Sequence, residues 1–449
     1  MPTLTKSISG WGRYPAHTCE LSRPERYADL KADQPSIIAR GQGRSYGDAS
    51  LNEHGHVLLT ERINRMLELD IKQGIIKAEA GVTLAEILSV CVKHGWFLPV
   101  TPGTRFASLG GCVAADVHGK NHHHDGSFGK HVLGMEMLLA DGRRIQCSAS
   151  ENSELFWATV GGMGLTGIIG TVTLKLIPIA TSQIQVQHRA AGNLQALFEL
   201  LNDPDLDDHY SVAWIDCMAK GHKLGRGVAM FGHHASVDEY RAALPLTHHV
   251  KSVRNLPFDF PGWLLNPLSI NLFNQAYFWN EGRKTDAFLT SYESYFYPLD
   301  AIGQWNRMYG KRGFLQYQCV LPETQALSGM TRLLQAISAS RNASFLAVLK
   351  RLGESSLGML SFPMPGFTLA LDLPLHDQQA LFTLLDRLDQ ITLEHGGRVY
   401  LAKDAHLSAE NFRLMYPRYA DWLKIKQQFD PANVFNSSLA RRLHIGEQP

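Results

Sequence analysis

Thirty-nine glycines occur in the 449 residues, and three clusters of them between Gly41 and Gly167 carry the clearest chemical signal. The first is Gly41-Gln42-Gly43-Arg44-Ser45-Tyr46-Gly47-Asp48. The second runs from Thr101-Pro102-Gly103-Thr104 to Ser108-Leu109-Gly110-Gly111, and the third holds Gly161, Gly162, Gly164 and Gly167. Without a Cβ, glycine lets main-chain N–H groups approach an anion closely. Taken singly, each cluster serves equally well as a set of turns. Three together, with Arg44, Ser45, Tyr46 and Thr104 among them, suit the two phosphates of a dinucleotide, and FAD is long enough to use all three. Gly162-Met163-Gly164-Leu165-Thr166-Gly167 formally matches a nicotinamide-type fingerprint. That motif needs a strand before it, a helix after it and an acid about twenty residues on; here a helix precedes, a strand follows and position 187 is Gln. The run His122-His123-His124 invites a metal reading, but adjacent side chains diverge in an extended chain and no Cys or carboxylate follows at ligand spacing, so no metal is expected. Gln316 and Gln318, two apart on a predicted strand, face the same side and can grip sugar hydroxyls together; a solvent-facing strand is the alternative.

These groups need elements to position them. Ser36–Arg40 reads as a buried strand feeding the first loop. Thr83 and Glu86 form a capping box for a helix whose Leu84, Ile87, Leu88 and Cys91 share a face before Gly95. Asp141-Gly142 turns a hairpin between two strands, and a short helix covers 155–160. A strand carrying Val172, Leu174 and Leu176 ends at Pro178, where a domain boundary falls. Beyond it, strands are expected at 209–218, 314–321, 345–351 and 367–373, joined by helices, as in an α+β domain built on an antiparallel sheet. The segment 256–279, rich in Trp, Phe, Leu and Pro, shows no helical periodicity; it reads equally as a greasy lip for a lipid tail or as irregular core packing. Near the C-terminus, Trp422, Ile425 and Phe429 share a helical face in a segment expected to return to the first domain.

Composition limits the function classes. Forty-three Lys and Arg nearly balance 42 Asp and Glu, with no basic run interleaved with aromatics, so nucleic acid is not an expected partner. The length suits two domains. Six irregularly spaced cysteines without a CxxC pair fit a reduced, cytoplasmic protein, and neither a signal peptide nor a spanning segment is recognisable.

Longer strings are more specific: GWGR at 10–13, GRSYGD at 43–48, PGTRF at 102–106, DVHGKNHH at 116–123, GSFG at 126–129, ELFWATVGG at 154–162, LTGII at 165–169, PLD and WNR near 298–307, GFLQYQ at 313–318, AKD at 402–404 and ARRL at 440–443. On these the chain resembles, over nearly its full length, the decaprenylphosphoryl-β-D-ribose 2′-oxidase family within the vanillyl-alcohol-oxidase superfamily. The resemblance implies an α+β, two-domain flavoprotein. A PCMH-type FAD-binding domain would occupy 1–180 and a substrate domain 181–398, with 399–449 returning to the first. It adds Ala115, Val117, Ile169, Tyr400, Ala402 and Lys403 to the cofactor set given by the glycine loops. Arg44 stands where related sugar oxidases often carry a flavin-tethering histidine, implying non-covalent FAD.

The reaction implied is oxidation of the 2′-hydroxyl of a polyprenyl-phosphate β-D-ribofuranose. A short-chain dehydrogenase/reductase partner would complete the epimerisation, and a quinone or dioxygen would take the electrons. Such chemistry needs a hydride acceptor beside the carbinol carbon, a group for the hydroxyl proton and a cation or dipole near flavin N1. By resemblance Lys403 is that cation and also orients the sugar; His118 or Tyr46 passes the proton, and the two stand as alternatives. His118, Lys120, Lys350, Trp214, Phe296 and Thr368 match substrate-pocket positions. Two departures stand out: Ala370 replaces a cysteine that covalent nitroaromatic inhibitors trap in mycobacterial members, and Thr368 replaces an asparagine. The rival within the same chemistry is a soluble alditol or sugar lactone substrate. A contact with the inner membrane face, peripheral only, completes the expectation.

Overall fold

The computed structural model describes residues 3–447 except 207, 249–253, 263, 341, 343 and 345. Trp263, in the apolar segment, and Phe345, at the start of an expected strand, lie outside the described residues.

Three sheets organise the chain. Leu4–Ser9, Ala16–Ser22, His56–Leu59 and Ile37–Arg40 form a four-stranded sheet in that order, its last two pairings parallel. A five-stranded antiparallel sheet follows the order Met66–Asp70, Ile75–Glu79, Ile168–Lys175, Val132–Leu138 and Arg144–Cys147. The largest sheet is antiparallel and eight-stranded: Phe288–Ser291, Gln183–Ala191, Gly227–His234, Tyr210–Ile215, Ala347–Leu352, Gly366–Pro374, Phe314–Pro322 and Arg398–Val399.

Alternation on the eight-stranded sheet separates two surfaces. Leu315, Tyr317, Cys319, Leu349, Leu369 and Leu371 join one buried apolar cluster with Leu333, Leu334, Ile337, Leu384 and Leu385, which come from the helices Glu323–Ser340 and Gln378–Glu394. Gln316, Gln318, Val348, Lys350 and Ala370 point the other way, into a cavity shared with the glycine loops. A strand register is thus what delivers polar side chains to the site.

Several local expectations match. The helix Leu84–Cys91 carries both halves of its capping box, Thr83 Oγ1 accepting from Glu86 N and Glu86 accepting from Thr83 N. The C-terminal segment packs back on the N-terminal region: Ile37 N donates to Val434 O at 2.8 Å, and Trp422 Nε1 donates to Ala158 O at 2.8 Å.

Others need correction. The strand expected to run to Pro178 stops at Lys175, and Ile177–Pro178 pairs separately with Trp96–Phe97. The histidine run is a helical turn, His122–Asp125, not an extended chain. Within 256–279, Pro267–Glu281 is a fifteen-residue helix. Asn266 caps it by accepting from Leu268 N and Ser269 N, with Pro267 at the first turn. It lacks an apolar stripe because its buried side mixes Ile270 with Asn274 while large apolar residues stay outside. Asn274 is buried and donates to Asp216 Oδ1 at 2.7 Å, whereas Leu268, Leu272, Phe273 and Trp279 are exposed.

Candidate active site

The glycine loops and the polar face of the eight-stranded sheet enclose a cavity of about 740 Å³, within the range of small-molecule and cofactor sites. Of the expected cofactor positions, Gly41, Gly43, Arg44, Ser45, Tyr46, Pro102, Gly103, Thr104, Ser108, Gly110 and Gly111 line it, together with Ala115, Val117, Gly164, Gly167, Ile169, Tyr400, Ala402 and Lys403. Four expected site residues do not line it. Gly47 packs on the Asp404 carbonyl and Gly162 on that of Ala158. Asp48 is buried in an ion pair with Arg442, and Thr368 stands behind Gln318, accepting a hydrogen bond from its Nε2 at 3.2 Å.

The loops fit a diphosphate. The main-chain N–H groups of Gln42, Gly43, Arg44 and Ser45, which are half-buried, and those of Gly103 and Thr104 at the loop surface make no hydrogen bond among the described residues, which leaves them available to a ligand. Gly43 has φ 61°, a conformation that turns the chain at no steric cost only for glycine. A Cβ on Gly41 would lie 2.0 Å from Ser108 Oγ, so the first and second loops meet only because that side chain is absent. The Arg44 guanidinium sits 4.3 Å from the Trp11 ring centroid, which keeps a cation beside these donors. This donor set is chemically matched to FAD.

At the other end, the turn Tyr400–Asp404 is tied to the first loop by Tyr46 N donating to Ala402 O at 3.1 Å, and it holds Lys403 Nζ 3.9 Å from the Tyr46 ring centroid. Burial lowers the Lys403 ammonium well below its ordinary range; Asp372 opposes that shift and Lys350 adds to it. His118 is buried, its Nε2 2.9 Å from Gln318 Nε2 and its Nδ1 3.5 Å from Lys350 Nζ. Burial, with the neighbouring charge of Lys350, holds its ring neutral, far below the usual histidine range. Lys120 Nζ donates to Tyr295 O at 2.5 Å and lies 3.8 Å from that ring's centroid. Burial, then Lys350, pushes Lys120 down to about 7, and burial pushes Lys350 to about 8. The Tyr46 phenol is displaced upward by burial and by Asp372.

Gln316, Gln318, Lys350, Trp214 and Phe296 also line the cavity, as does Ala370. Trp214 packs on Tyr277 of the helix Pro267–Glu281, ring centroids 4.7 Å apart, so the helix that periodicity misses supplies part of the wall. Two further groups escaped the sequence reading. Asp300 accepts from Arg105 N at 2.8 Å and lines the cavity; the PLD string was its only signal. Asp372, fully buried, accepts from Gln316 Nε2 at 2.6 Å and from the Tyr309 hydroxyl at 3.2 Å. A lone acid in the strand Phe367–Leu373 was the sign available.

Comparison with known proteins agrees with this arrangement. A family described as an FAD binding domain matches residues 13–148, and one described as D-arabinono-1,4-lactone oxidase matches residues 373–443. Decaprenylphosphoryl-beta-D-ribose oxidase of Mycolicibacterium smegmatis is 38% identical, covering 99% of this chain and 98% of its own length. An uncharacterised protein of Streptomyces coelicolor is 34% identical over 81% of this chain and 100% of its own. L-Gulonolactone oxidase of Bos taurus is 30% identical over 31% of each chain. With similarity of that extent across both the glycine loops and the sheet that faces them, the chain belongs to the decaprenylphosphoryl-β-D-ribose oxidase family of FAD-dependent oxidoreductases.

Proposed function

We propose that this chain oxidises the 2′-hydroxyl of a polyprenyl-phosphate β-D-ribofuranose to the 2′-ketone, the first half of an epimerisation to the arabinofuranose donor. The observation that carries the reading is the cavity itself, with unpaired loop amides at one end and Lys403, His118, Gln316, Gln318 and Lys350 at the other. FAD, when bound, supplies the hydride acceptor. Lys403, when protonated, supplies positive charge whose pull on developing anionic charge is strengthened by the low dielectric of the site, although the same burial makes its proton easier to lose. His118 enters as a neutral ring and is the better proton acceptor of the two candidates, because the buried Tyr46 phenol holds its own proton firmly. Gln318 orients that ring through Nε2, and Gln316, Lys120 and Lys350 are positioned to hold the sugar. Trp214, Tyr277 and Phe296 form an apolar wall around it.

Leu268, Leu272, Phe273 and Trp279 are exposed on the helix whose Tyr277 lines the cavity, and they offer the prenyl chain an apolar surface. No helix among the described residues is long and apolar enough to cross a membrane, and contact of this lip with a membrane surface is part of the same proposal. So are the division at 1–180, 181–398 and 399–449, a short-chain reductase that takes the keto sugar onward, and a quinone or dioxygen as electron acceptor. The FAD is held without a covalent bond, so acid precipitation should leave it in the supernatant.

The match of residues 373–443 to D-arabinono-1,4-lactone oxidase favours a second reading, oxidation of a soluble lactone or alditol. Anaerobic mixing with each class of substrate while following the oxidised-flavin band separates the two. Bleaching is expected with the lipid-phosphate riboside, and bleaching by the soluble compounds alone would sink the first reading.

A further inference from the structure

The turn that delivers His118 to the cavity is held by a carboxylate that lies outside the cavity wall. Asp116 is fully buried and has φ 41°, a left-handed conformation that a residue with a Cβ keeps only where its surroundings over-determine it. Three donors converge on its side chain: Ser127 Oγ at 2.8 Å and Ser361 Oγ at 2.6 Å on Oδ2, and Gly129 N at 2.8 Å on Oδ1. Ser361 reaches in from the connection between the strands Ala347–Leu352 and Gly366–Pro374 of the eight-stranded sheet. Glycines clear its way. A Cβ on Gly161, in the third glycine cluster, would lie 2.5 Å from Ser361 Oγ, one on Gly358 would overlap the same atom, and one on Gly129 would press on Asp116 Oδ1 at 3.0 Å.

The same connection also holds the imidazole. Phe362, next to Ser361, has its ring centroid 5.7 Å from that of His118 and stacks on Tyr400 at 4.6 Å. The Tyr400 hydroxyl donates to Ala115 O at 2.8 Å, and Arg398 Nη1 donates to Ser361 O at 3.1 Å. Asp116 thus sits between an anchored Ala115 and Val117, whose N donates to Cys112 O at 3.0 Å. Without its three donors the strained turn would relax, and His118, two residues on, would shift with it. We infer that Asp116 is a positioning residue for the proton transfer: gripped by Ser127, Gly129 and Ser361, it fixes the turn that aims His118 at the substrate hydroxyl. The inference rests on the proposal that His118 takes that proton, and it is independent of which carbinol is oxidised.

The test uses the FAD-loaded protein with Ser361→Ala, which removes one donor, and Asp116→Gly, which removes the carboxylate yet accepts the left-handed backbone. One readout needs no substrate: the rate at which diethyl pyrocarbonate modifies His118, followed by peptide mass against the exposed His222 of the same chain. A hydrogen bond to a charged group is strong enough that Ser361→Ala should raise this rate about tenfold and Asp116→Gly by more, with His222 unchanged. Asp116→Asn, which still accepts from Gly129 N, should fall short of Asp116→Gly. The second readout is stopped-flow flavin reduction by a prenyl-phosphate β-D-riboside at saturation. Ser361→Ala should slow it about tenfold with KM nearly unchanged, and should cost nothing further in a His118→Ala background, where a general packing defect would still be felt. His118 reactivity that stays at its original rate in both Ser361→Ala and Asp116→Gly, or a Ser361→Ala loss as large without His118 as with it, overturns the inference. Should Asp116→Gly fail to retain FAD, Ser361→Ala carries the test. Reduction at the original rate in His118→Ala alone would overturn the inference together with the role proposed for His118. A flavin that no riboside bleaches, with His118 reactivity rising as expected, would instead count against the proposed substrate alone.

Discussion

Arg442 is the side chain whose loss should be felt furthest from its own position. Its Nε and Nη2 donate to Asp48 at 3.0 and 2.8 Å, Nη2 also donates to Asp404 at 2.9 Å, and Nη1 donates to Leu407 O at 2.7 Å. Asp48 ends the first glycine loop and Asp404 follows Lys403, so one guanidinium joins both ends of the cofactor site to the C-terminal segment. Both carboxylates are 4% exposed and the arginine 25%. Arg442→Met would strand two buried carboxylates, and breaking a buried pair from one side costs roughly 3–5 kcal/mol. The partial exposure of the arginine argues for the lower end, about 3 kcal/mol, or ~100-fold in the population of an opened clamp. The assay is FAD release on dilution, followed by flavin fluorescence, with urea unfolding of the same protein alongside. Release should accelerate by about two orders of magnitude, and Arg442→Lys, which cannot fork between two carboxylates, should recover only part of the loss. Because the cost comes from stranded charge, adding Asp48→Asn to Arg442→Met should recover part of the stability, with Asp404 still unpaired. An Arg442→Met protein within ~1 kcal/mol of the original, or one that Asp48→Asn fails to improve, would refute the reasoning.

Lys403→Met should slow flavin reduction by about 10²–10³, the usual effect of removing one preorganised charge-stabilising group, while FAD stays bound; stopped-flow reduction checks this, and a loss under tenfold would remove Lys403 from its assigned role. Lys120 is pushed down to about 7 by burial and Lys350, whereas the unfolded chain holds the lysine proton to about pH 10.4. The unfolded state therefore binds more protons between those values, and stability of the FAD-free protein should rise with pH across that window by up to ~1.4 kcal/mol per unit from this group. Thermal unfolding of Lys120→Met should show a flatter rise, and an unchanged slope would contradict the buried charge. Ala370 lines the cavity, so Ala370→Cys should become covalently labelled by thiol-trapping nitroaromatic compounds that leave the unaltered chain unlabelled, as read by intact mass; labelling of the unaltered chain would overturn the correspondence at this position.

The parts of the site that sequence reveals are those with local causes. Gly41 and Gly43, read together with the two later glycine clusters, point to a close backbone approach, and the Thr83–Glu86 capping box is complete within four residues. Gln316 and Gln318 could be assigned to one face by period alone, and the structure brings both into the cavity. What stayed hidden depends on distant partners. Asp48 sits in a glycine-loop motif and looks like a cofactor contact, yet its partner Arg442 lies 394 residues away. Asp372 is an anomaly in an apolar strand until Tyr309 and Gln316 are placed around it. The helix Pro267–Glu281 defeats periodicity because Asn274 turns inward to Asp216 beside Ile270 while Leu268 and Leu272 stay outside, an arrangement that a buried polar network supports. The alternation in Gln183–Ala191 was readable by the same rule that caught Gln316, since Ile184, Val186 and His188 are its buried side.

The division of labour between the two ends of the cavity follows from these placements. At the loop end the donors are main-chain amides, whose geometry is fixed by glycine and whose dipoles need no titration. At the sheet end they are side chains whose protonation is free to respond to neighbours: Lys120, Lys350 and Lys403 lowered by burial, His118 held neutral, Asp372 raised. A chain with a formal net charge of only +1 thus concentrates buried basic groups at one place. In a low-dielectric cavity that concentration is unfavourable alone and becomes favourable when negative charge arrives or develops there. The same electrostatics that cost the cofactor-free protein stability would therefore favour an anionic ligand and, on the role proposed for Lys403, a reaction that builds negative charge beside it.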